Sequence, residues 1–247
     1  MQGIACCVRL LTVAAILVLL PDTAFSQDFS INFGQGAGLT ERAIQMIALI
    51  TVLSLAPSIL VMMTSFTRIV VVLSLLRTAL GTGTAPPNSV LVALALFLTA
   101  FIMGPAFQNA YDAGLRPLAN NEITAEQAFE RSSGPFRTFM LKNVREKDLG
   151  LFMDLAREAK PATPEEVSLR ILIPAFMISE LRRAFEIGFL LFLPFLIIDL
   201  VVASVLMSMG MMMLPPVVVS LPFKLIFFVL VDGWSLVAGS LVQSYGT

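Results

Sequence analysis

Three ionisable residues lie inside otherwise apolar segments of this sequence and are the first candidates for chemistry. Asp199 interrupts the apolar run at residues 187–214, and Lys224 and Asp232 interrupt the run at residues 217–242. A charged side chain at membrane depth costs roughly 2.5–3.5 kcal/mol on insertion scales, so each of them marks a functional hypothesis. Two interpretations stay open: a proton or ion relay, or pairing of Lys224 with an acidic residue at a packed helix or subunit contact.

Catalysis has little support in the residue types. The sequence contains no histidine, which excludes Ser-His-Asp and Cys-His catalysis and His-ligated metal or haem sites. Ser220 and Lys224 have the spacing of a Ser-Lys pair, but Pro222 between them disturbs the helix geometry that the pair needs. These residue types therefore give little support to nucleophilic catalysis or to a histidine-ligated metal site.

Charged residues also cluster where the third apolar run begins. They are Glu180, Arg182, Arg183 and Glu186. On a helix, Glu180 neighbours Arg183 and Arg182 neighbours Glu186, at spacings that allow ion pairs. The cluster has two interpretations: an interfacial group whose long side chains reach towards water, or ion pairs between subunits that fix their register.

Five methionines form the most unusual local composition, and two prolines follow them at 215 and 216. The methionines are Met207, Met209, Met211, Met212 and Met213. Gly210 and the two prolines predict a turn within this segment. Methionine is unbranched and adaptable, so the run either packs against lipid or core, or forms a ring of flexible apolar side chains that closes a pore.

The elements that position these residues follow from the hydropathy of the chain. Of its 247 residues, 57% are hydrophobic and only 13% are charged. Soluble domains have roughly 45–50% apolar and about 25% charged residues, so the apolar excess must face lipid or other subunits. Four apolar stretches are long enough to cross a bilayer, at residues 43–63, 88–108, 187–214 and 217–242.

Residues 1–26 have the pattern of a secretory signal peptide. An apolar run extends over residues 10–20, and Ala24-Phe25-Ser26 offers a cleavage site. The alternative is an uncleaved first transmembrane helix, for which an apolar run of about 11 residues is short against the roughly 20 that a span needs. Cleavage would remove Cys6 and Cys7, the only two cysteines.

Residues 109–183 form a polar module between the second and third apolar stretches, with 22 of the 33 charged residues. Residues 124–127 and 163–166 both fit a helix-capping box. Two sets of apolar residues have helical spacing, Phe136, Phe139, Met140 and Val144 in the first and Leu149, Phe152, Met153 and Ala156 in the second. Since the chain shows no strand pattern, we predict an all-α fold.

Several ordered motifs together carry a family resemblance over roughly residues 40–245. They are Met-Thr-Ser-Phe-Thr-Arg at 63–68, Thr-Ala-Pro-Pro-Asn at 84–88, Phe-Met-Leu-Lys at 139–142, Pro-Ala-Phe-Met-Ile-Ser-Glu-Leu at 174–181, Asp-Leu-Val-Val-Ala-Ser at 199–204, the methionine run at 207–216, Leu-Pro-Phe-Lys at 221–224 and Asp-Gly-Trp at 232–234. In this order they closely resemble the FliP/SctR-like export-gate family of type III secretion systems. The leader at 1–26 favours the flagellar branch of that family.

The resemblance implies an all-α, membrane-associated fold of bent helical hairpins with a helical polar module, assembling into a ring-shaped export gate. It implies five copies together with FliQ-like and FliR-like subunits and other membrane proteins of the export apparatus. Such a gate is needed to assemble the apparatus and passes unfolded flagellar proteins. Proteins of this family are not enzymes, so the resemblance implies no catalytic residue, no cofactor and no metal site. It also implies a location in the bacterial inner membrane at the flagellar basal body. The near balance of 16 basic and 17 acidic residues indicates no binding to nucleic acid.

The resemblance also implies roles for particular residues. Met209, Met211, Met212 and Met213 correspond to a gasket around the closed pore. If the apolar segments are buried against other subunits, Glu180, Asp199, Lys224 and Asp232 need partners in protein rather than a path for water. The faces with Phe139 and Phe152 are then candidate subunit contacts; alternatively, they pack against each other within the polar module.

These expectations give a map of the chain and one competing function. The map has a cleaved signal peptide (1–26), an N-terminal polar segment (27–42), a first apolar helical hairpin (43–108), a polar helical module (109–183) and a second apolar hairpin with the methionine-rich turn (184–247). The competing function is an ion-coupled multi-pass transporter or proton relay that uses Asp199, Lys224 and Asp232.

Overall fold

The computed structural model describes residues 61–157, 166–211 and 213–246, with single positions at 44, 46, 47, 50, 51, 54, 58, 59 and 163. The predicted leader, the segment at 27–42 and Met212 lie outside these residues, as do 10 of the 21 residues of the first apolar stretch. All regular secondary structure within the described residues is helical, which confirms the all-α prediction. The helices are α1 (Phe66–Leu80), α2 (Asn88–Ala110), α3 (Arg116–Ala119), α4 (Ala125–Asn143), α5 (Glu146–Ala156), α6 (Leu169–Ser208), α7 (Pro216–Leu230) and α8 (Gly233–Gln243), with a π-helical turn at Tyr111–Leu115.

Helix α1 packs against α2, α6 and α7 and supplies more buried residues to one hydrophobic core than any other helix does. Its buried side chains include Ile69, Val72, Leu73 and Leu76. The helix ends at Gly81, which adopts the left-handed conformation with φ +74° and returns its N–H to the carbonyl of residue 78. This glycine is the αL cap that terminates many helices, because a side chain is strained at positive φ.

A second core joins the polar module to the first half of α6. Phe136 and Met140 of α4 and Met153 of α5 are buried in it, together with Phe176 of α6. Both predicted apolar faces contribute to this core, and they lie on helices except for Val144, which follows the end of α4. The capping box at 124–127 is confirmed at the start of α4; the second predicted box, at 163–166, lies largely outside the described residues.

Helix α6 continues for 40 residues through two internal prolines, Pro174 and Pro194. The predicted boundary between 183 and 184 falls inside it, and the boundary between 108 and 109 falls inside α2. Composition changes at both positions, whereas the helical hydrogen bonding does not. Helices α7 and α8 are bent by 63° at the break between them.

Two helical stretches in the described part of the chain are long and apolar enough to cross a membrane, Asn88–Ala119 and Leu169–Ser208. A third candidate span exists if the bent pair of α7 and α8 counts as one. In the most apolar window of α6, only 11% of the residues are buried by the chain itself. Most of the apolar surface of this helix is therefore free to contact lipid or another protein.

Candidate functional site

Lys224 and Asp199 form an ion pair between α7 and α6. The distance from Lys224 Nζ to Asp199 Oδ2 is 2.6 Å, and the side chains are 5% and 25% exposed. Ser220, one turn before Lys224, donates its hydroxyl to Asp199 Oδ1 at 2.5 Å. The lysine ammonium also donates to the carbonyl of Ala79 at 3.1 Å, within the last turn of α1. A cation is favourable there because the carbonyl end of a helix carries partial negative charge.

Helix geometry explains why Ser220 and Lys224 meet the same carboxylate. Pro222 lies inside α7 without ending it, so residues four apart still share one face. The buried Ser220 hydroxyl and the Lys224 ammonium both hydrogen-bond to Asp199. The arrangement is that of an ion pair with an additional hydrogen bond, in which the serine acts as a donor to a carboxylate.

Asp232 occupies a different environment from Asp199. It is exposed, lies at the break between α7 and α8, and has φ +50°. Within the described residues it forms no ion pair with Lys224 or with any other basic side chain. The structure therefore joins two of the three ionisable residues singled out above and leaves the third at a bend.

A second buried ion pair connects α1 to α6. Arg68 and Glu180 are both 0% exposed. Arg68 Nε donates to Glu180 Oε2 at 2.8 Å, and Arg68 Nη2 makes a short contact with Glu180 Oε1. Two parallel bonds between a guanidinium and a carboxylate fix the relative orientation of the groups as well as their distance.

Residues after α8 complete this second pair. Tyr245 donates its hydroxyl to Glu180, and Arg68 Nη1 donates to Ser244 Oγ at 2.9 Å. Burial, followed by the negative charge of Glu180, raises the pKa of the Tyr245 phenol above its usual range. The hydroxyl therefore stays protonated and remains a donor.

The sequence did not identify Arg68 as a buried partner, because the residue lies between the apolar stretches at 43–63 and 88–108. One feature of the sequence could have identified it. Residues 69–76, which follow Arg68 directly, are apolar except for Ser74 and are long enough to form two turns of a buried helix. A lone cation at the start of such a helix requires an acidic partner, as Lys224 does.

The other charged residues near the start of the third apolar run lie closer to water. Arg182 Nε and Glu186 Oε1 are 3.0 Å apart, with side chains 54% and 58% exposed. Glu180 instead turns inward to Arg68. The predicted group thus divides into one buried acid, the exposed pair of Arg182 and Glu186, and Arg183, which is half-buried.

A further polar group ties α5 to α6. Ser179 accepts a hydrogen bond from the backbone N–H of Arg145 at 3.1 Å and lies 2.7 Å from Asp148 Oδ2, to which it donates. Asp148 is buried, and Arg145 Nε lies 3.9 Å from the same carboxylate. The group positions the polar module beside Glu180, the next residue along α6.

The methionine-rich segment forms the predicted turn at the end of α6. Gly210 has φ +74° and donates its N–H to the carbonyl of Met207, while the N–H of Met211 reaches the carbonyl of Leu206. These two bonds define a Schellman motif, which ends a helix and reverses the chain. The described methionines of the turn, Met209, Met211 and Met213, are exposed, and Met213 is 98% exposed.

Phe139 and Phe152 both pack partly into the interior of the chain. The Phe139 ring meets Phe176 edge-on with 6.0 Å between centroids and stacks on Tyr245 at 5.7 Å. Phe152 packs against the second core. Both side chains are half-buried, so each keeps some exposed surface.

An open apolar groove of about 550 Å³ lies between α6 and α7, on the side of the turn. It is lined by Ile197, Ile198, Val201, Val202, Val205, Leu206, Val219 and Phe223. The groove adds to the apolar surface that the chain presents outward.

Comparison with known proteins gives a consistent result. A family model described as "FliP family" matches residues 49–241. The chain is 62% identical over 233 residues to "Flagellar biosynthetic protein FliP" of Caulobacter vibrioides, covering 94% of this chain and 88% of that protein. For the protein of the same name in Bacillus subtilis the identity is 55% over 202 residues, covering 82% and 91%. For that in Agrobacterium fabrum it is 49% over 243 residues, covering 96% and 99%.

Proposed function

The chain belongs to the FliP family, and on that basis we propose that it is a pore-forming subunit of the flagellar type III protein export gate. Its role is to help assemble the export apparatus and to pass unfolded flagellar proteins. The observation that carries the proposal is the family match over residues 49–241, supported by relatives named as flagellar biosynthetic proteins. The protein acts in the bacterial inner membrane at the flagellar basal body.

Assembly into a ring is supported by the apolar surface that the chain leaves uncovered. Exposed large side chains run along α2, α6 and α7, including Phe97, Phe101, Phe189 and Phe223. A monomeric soluble protein rarely exposes such continuous apolar surface, which marks contacts with other proteins or with lipid. In the proposed gate these faces contact further copies of the chain, FliQ-like and FliR-like subunits, and the membrane.

The exposed methionine turn supplies a mechanism for closing the pore. Each methionine side chain has three rotatable bonds and no branch, so a ring of them can fill an irregular opening and exclude water. Met209, Met211 and Met213 are exposed at the turn, and Met212 belongs to the same run. The Schellman motif holds the backbone of the turn while its side chains stay free to move aside for a substrate.

In this mechanism the buried ion pairs hold helices in place and do not conduct protons or other ions. Lys224 is neutralised by Asp199 and fixed to the end of α1, and Asp232 lies apart at an exposed bend. A proton relay through Asp199, Lys224 and Asp232 requires the three residues to lie within hydrogen-bonding reach of one another. The separate position of Asp232 at the exposed bend does not favour such a relay.

Replacing Met211, Met212 and Met213 with alanine in flagellated cells tests the proposed seal. Shortening the side chains should leave the assembly intact but make cells leak ions or small solutes, measured as dye entry or potassium loss. Met213→Ala alone should produce a smaller leak, and Met62→Ala, a change of another exposed methionine, should produce none. Unchanged permeability of the triple variant, with the assembly intact, would contradict the seal.

A further inference from the structure

We propose that Ser244 and Tyr245, the two residues directly after α8, are positioning residues that close the buried Arg68–Glu180 pair and thereby fix α8 to α1, α4 and α6. This inference concerns how the chain holds its own helices together. It is independent of the proposed export function and of any partner subunit.

Arg68 obtains its remaining hydrogen-bond partners from this segment. Two of its nitrogens are used by Glu180, and Arg68 Nη1 has the Ser244 hydroxyl at 2.9 Å and the Ser244 carbonyl at 3.4 Å. Ser244 in turn donates its own hydroxyl to the carbonyl of Leu241 at 2.7 Å, which orients its lone pairs towards the arginine. Since Arg68 is fully buried, loss of Ser244 leaves an N–H of a charged group without that partner.

Tyr245 contacts both members of the pair. Its hydroxyl donates to Glu180 Oε2, and the guanidinium carbon of Arg68 lies 3.8 Å from the centroid of its ring. A guanidinium over an aromatic face is attracted by the ring quadrupole, and the attraction is stronger away from water. One side chain therefore stabilises the carboxylate through its hydroxyl and the cation through its ring.

The same ring extends the cluster into the polar module. Phe139 of α4 stacks on Tyr245 with an interplanar angle of 22°, and Phe139 also meets Phe176 of α6. Tyr245 is 4% exposed, although it lies two residues after the end of α8. The segment is thus anchored at a point where α1, α4 and α6 come together.

Removing partners from a buried charge pair is costly, because the group that loses its hydrogen bond keeps its desolvation penalty. Arg68 and Glu180 alone satisfy each other only in part. The segment after α8 therefore supplies hydrogen bonds to both members of the pair that they do not give each other.

Tyr245→Phe in the full chain, purified in detergent, tests the hydroxyl contact by the midpoint of thermal unfolding. We expect a midpoint several degrees lower and about a tenfold or greater fall in the ratio of folded to unfolded chain, as for a hydrogen bond to a charged group. Tyr111→Phe is the matched control, since Tyr111 is the other tyrosine and is exposed; it should leave the midpoint unchanged.

A background without the ion pair separates this role from general packing. In the double variant Arg68→Met with Glu180→Leu, the Tyr245 hydroxyl has lost its charged acceptor, so Tyr245→Phe should no longer lower the midpoint. An equal loss in both backgrounds would overturn the proposal, as would the absence of any loss in the native background.

Ser244→Ala gives an independent test that does not need the double variant to fold. Its matched control is Ser240→Ala, because both serines donate to the carbonyl three residues earlier but only Ser244 accepts from Arg68. We expect a lower midpoint for Ser244→Ala only. Equal midpoints for the two variants would overturn the role of Ser244.

Discussion

Arg68 and Lys224 are both cations on apolar helices, and each has its carboxylate partner on α6. Glu180 and Asp199 supply these carboxylates, and in both pairs further hydrogen bonds reach the charged groups. Taking two charges out of water costs several kcal/mol per ion, and only a well-oriented and fully hydrogen-bonded pair recovers that cost. The pairs therefore specify which helices face each other more than they add stability.

Arg68→Met alone should destabilise the chain by about 3–5 kcal/mol, because it leaves Glu180 buried without its cation. Combining it with Glu180→Leu should restore most of the loss, since both charges are then absent. Unfolding of the full chain in detergent measures both variants. Arg182→Met, at the exposed pair with Glu186, is the control and should cost less than about 1 kcal/mol. A single variant as stable as the control would contradict the importance of the buried pair.

Asp199→Asn separates the pairing role from a relay. If Asp199 mainly neutralises Lys224, the variant should assemble poorly, because the ammonium then keeps only uncharged acceptors. The amount of chain in the assembled complex, measured after gentle detergent extraction, should fall several-fold. Asp232→Asn, at the exposed bend, should assemble normally. Normal assembly of Asp199→Asn with a loss of proton coupling would support the relay instead.

The sequence indicated an acidic partner for Lys224 as one of two interpretations, because the cost of an unpaired charge in an apolar run is general. It was not sufficient to identify Arg68 with Glu180, since 112 residues separate them. Their contact depends on how α1 packs on α6. Spacing within a helix predicts neighbours only three or four residues away, and it therefore pointed from Glu180 to Arg183.

Among the helices, the contact between the π-helical turn and α4 has the least room. A Cβ atom added to Gly114 would lie 2.5 Å from the backbone carbonyl oxygen of Ala128 and 2.0 Å from Ser132 Oγ. Backbone cannot move aside as a flexible side chain can, so this glycine allows the turn to approach α4. The turn thereby connects the end of α2 to the polar module.

Gly114→Ala should therefore destabilise the polar module by about 1–3 kcal/mol through overpacking. Gly150→Ala, inside α5, is the matched control because a Cβ there meets nothing within 4 Å. The control should be neutral or stabilising by up to about 1 kcal/mol, as alanine favours a helix over glycine. Limited proteolysis of the full chain compares the two. Equal resistance to protease would contradict the close approach.

Helix type and apolar faces could be predicted from periodicity, whereas helix ends within long apolar runs could not. The faces with Phe136 and Met153 have helical spacing, and these two residues are buried as that spacing indicates, whereas Ala156 at the end of the second face is exposed. Pro174 and Pro194 do not end α6, because a proline removes one hydrogen bond while the surrounding apolar turns keep theirs. Composition marks where the surroundings of a helix change, and it does not mark where the backbone turns.

At the scale of the whole molecule, the chain presents more apolar surface than its own fold covers. The composition predicted this excess, and the low burial along α6 is consistent with it. Hydropathy cannot distinguish lipid from protein as the contact, because both are apolar. The neighbours that we propose follow instead from the family that the ordered motifs indicate.

We propose that this chain functions as one subunit of a multi-subunit gate, and the mass of the complex after gentle detergent extraction from flagellated cells is the decisive measurement. We expect a single large particle that contains several copies of the chain together with further membrane subunits. A particle of one chain, at most 26.8 kDa plus detergent, would overturn the gate and favour a monomeric transporter.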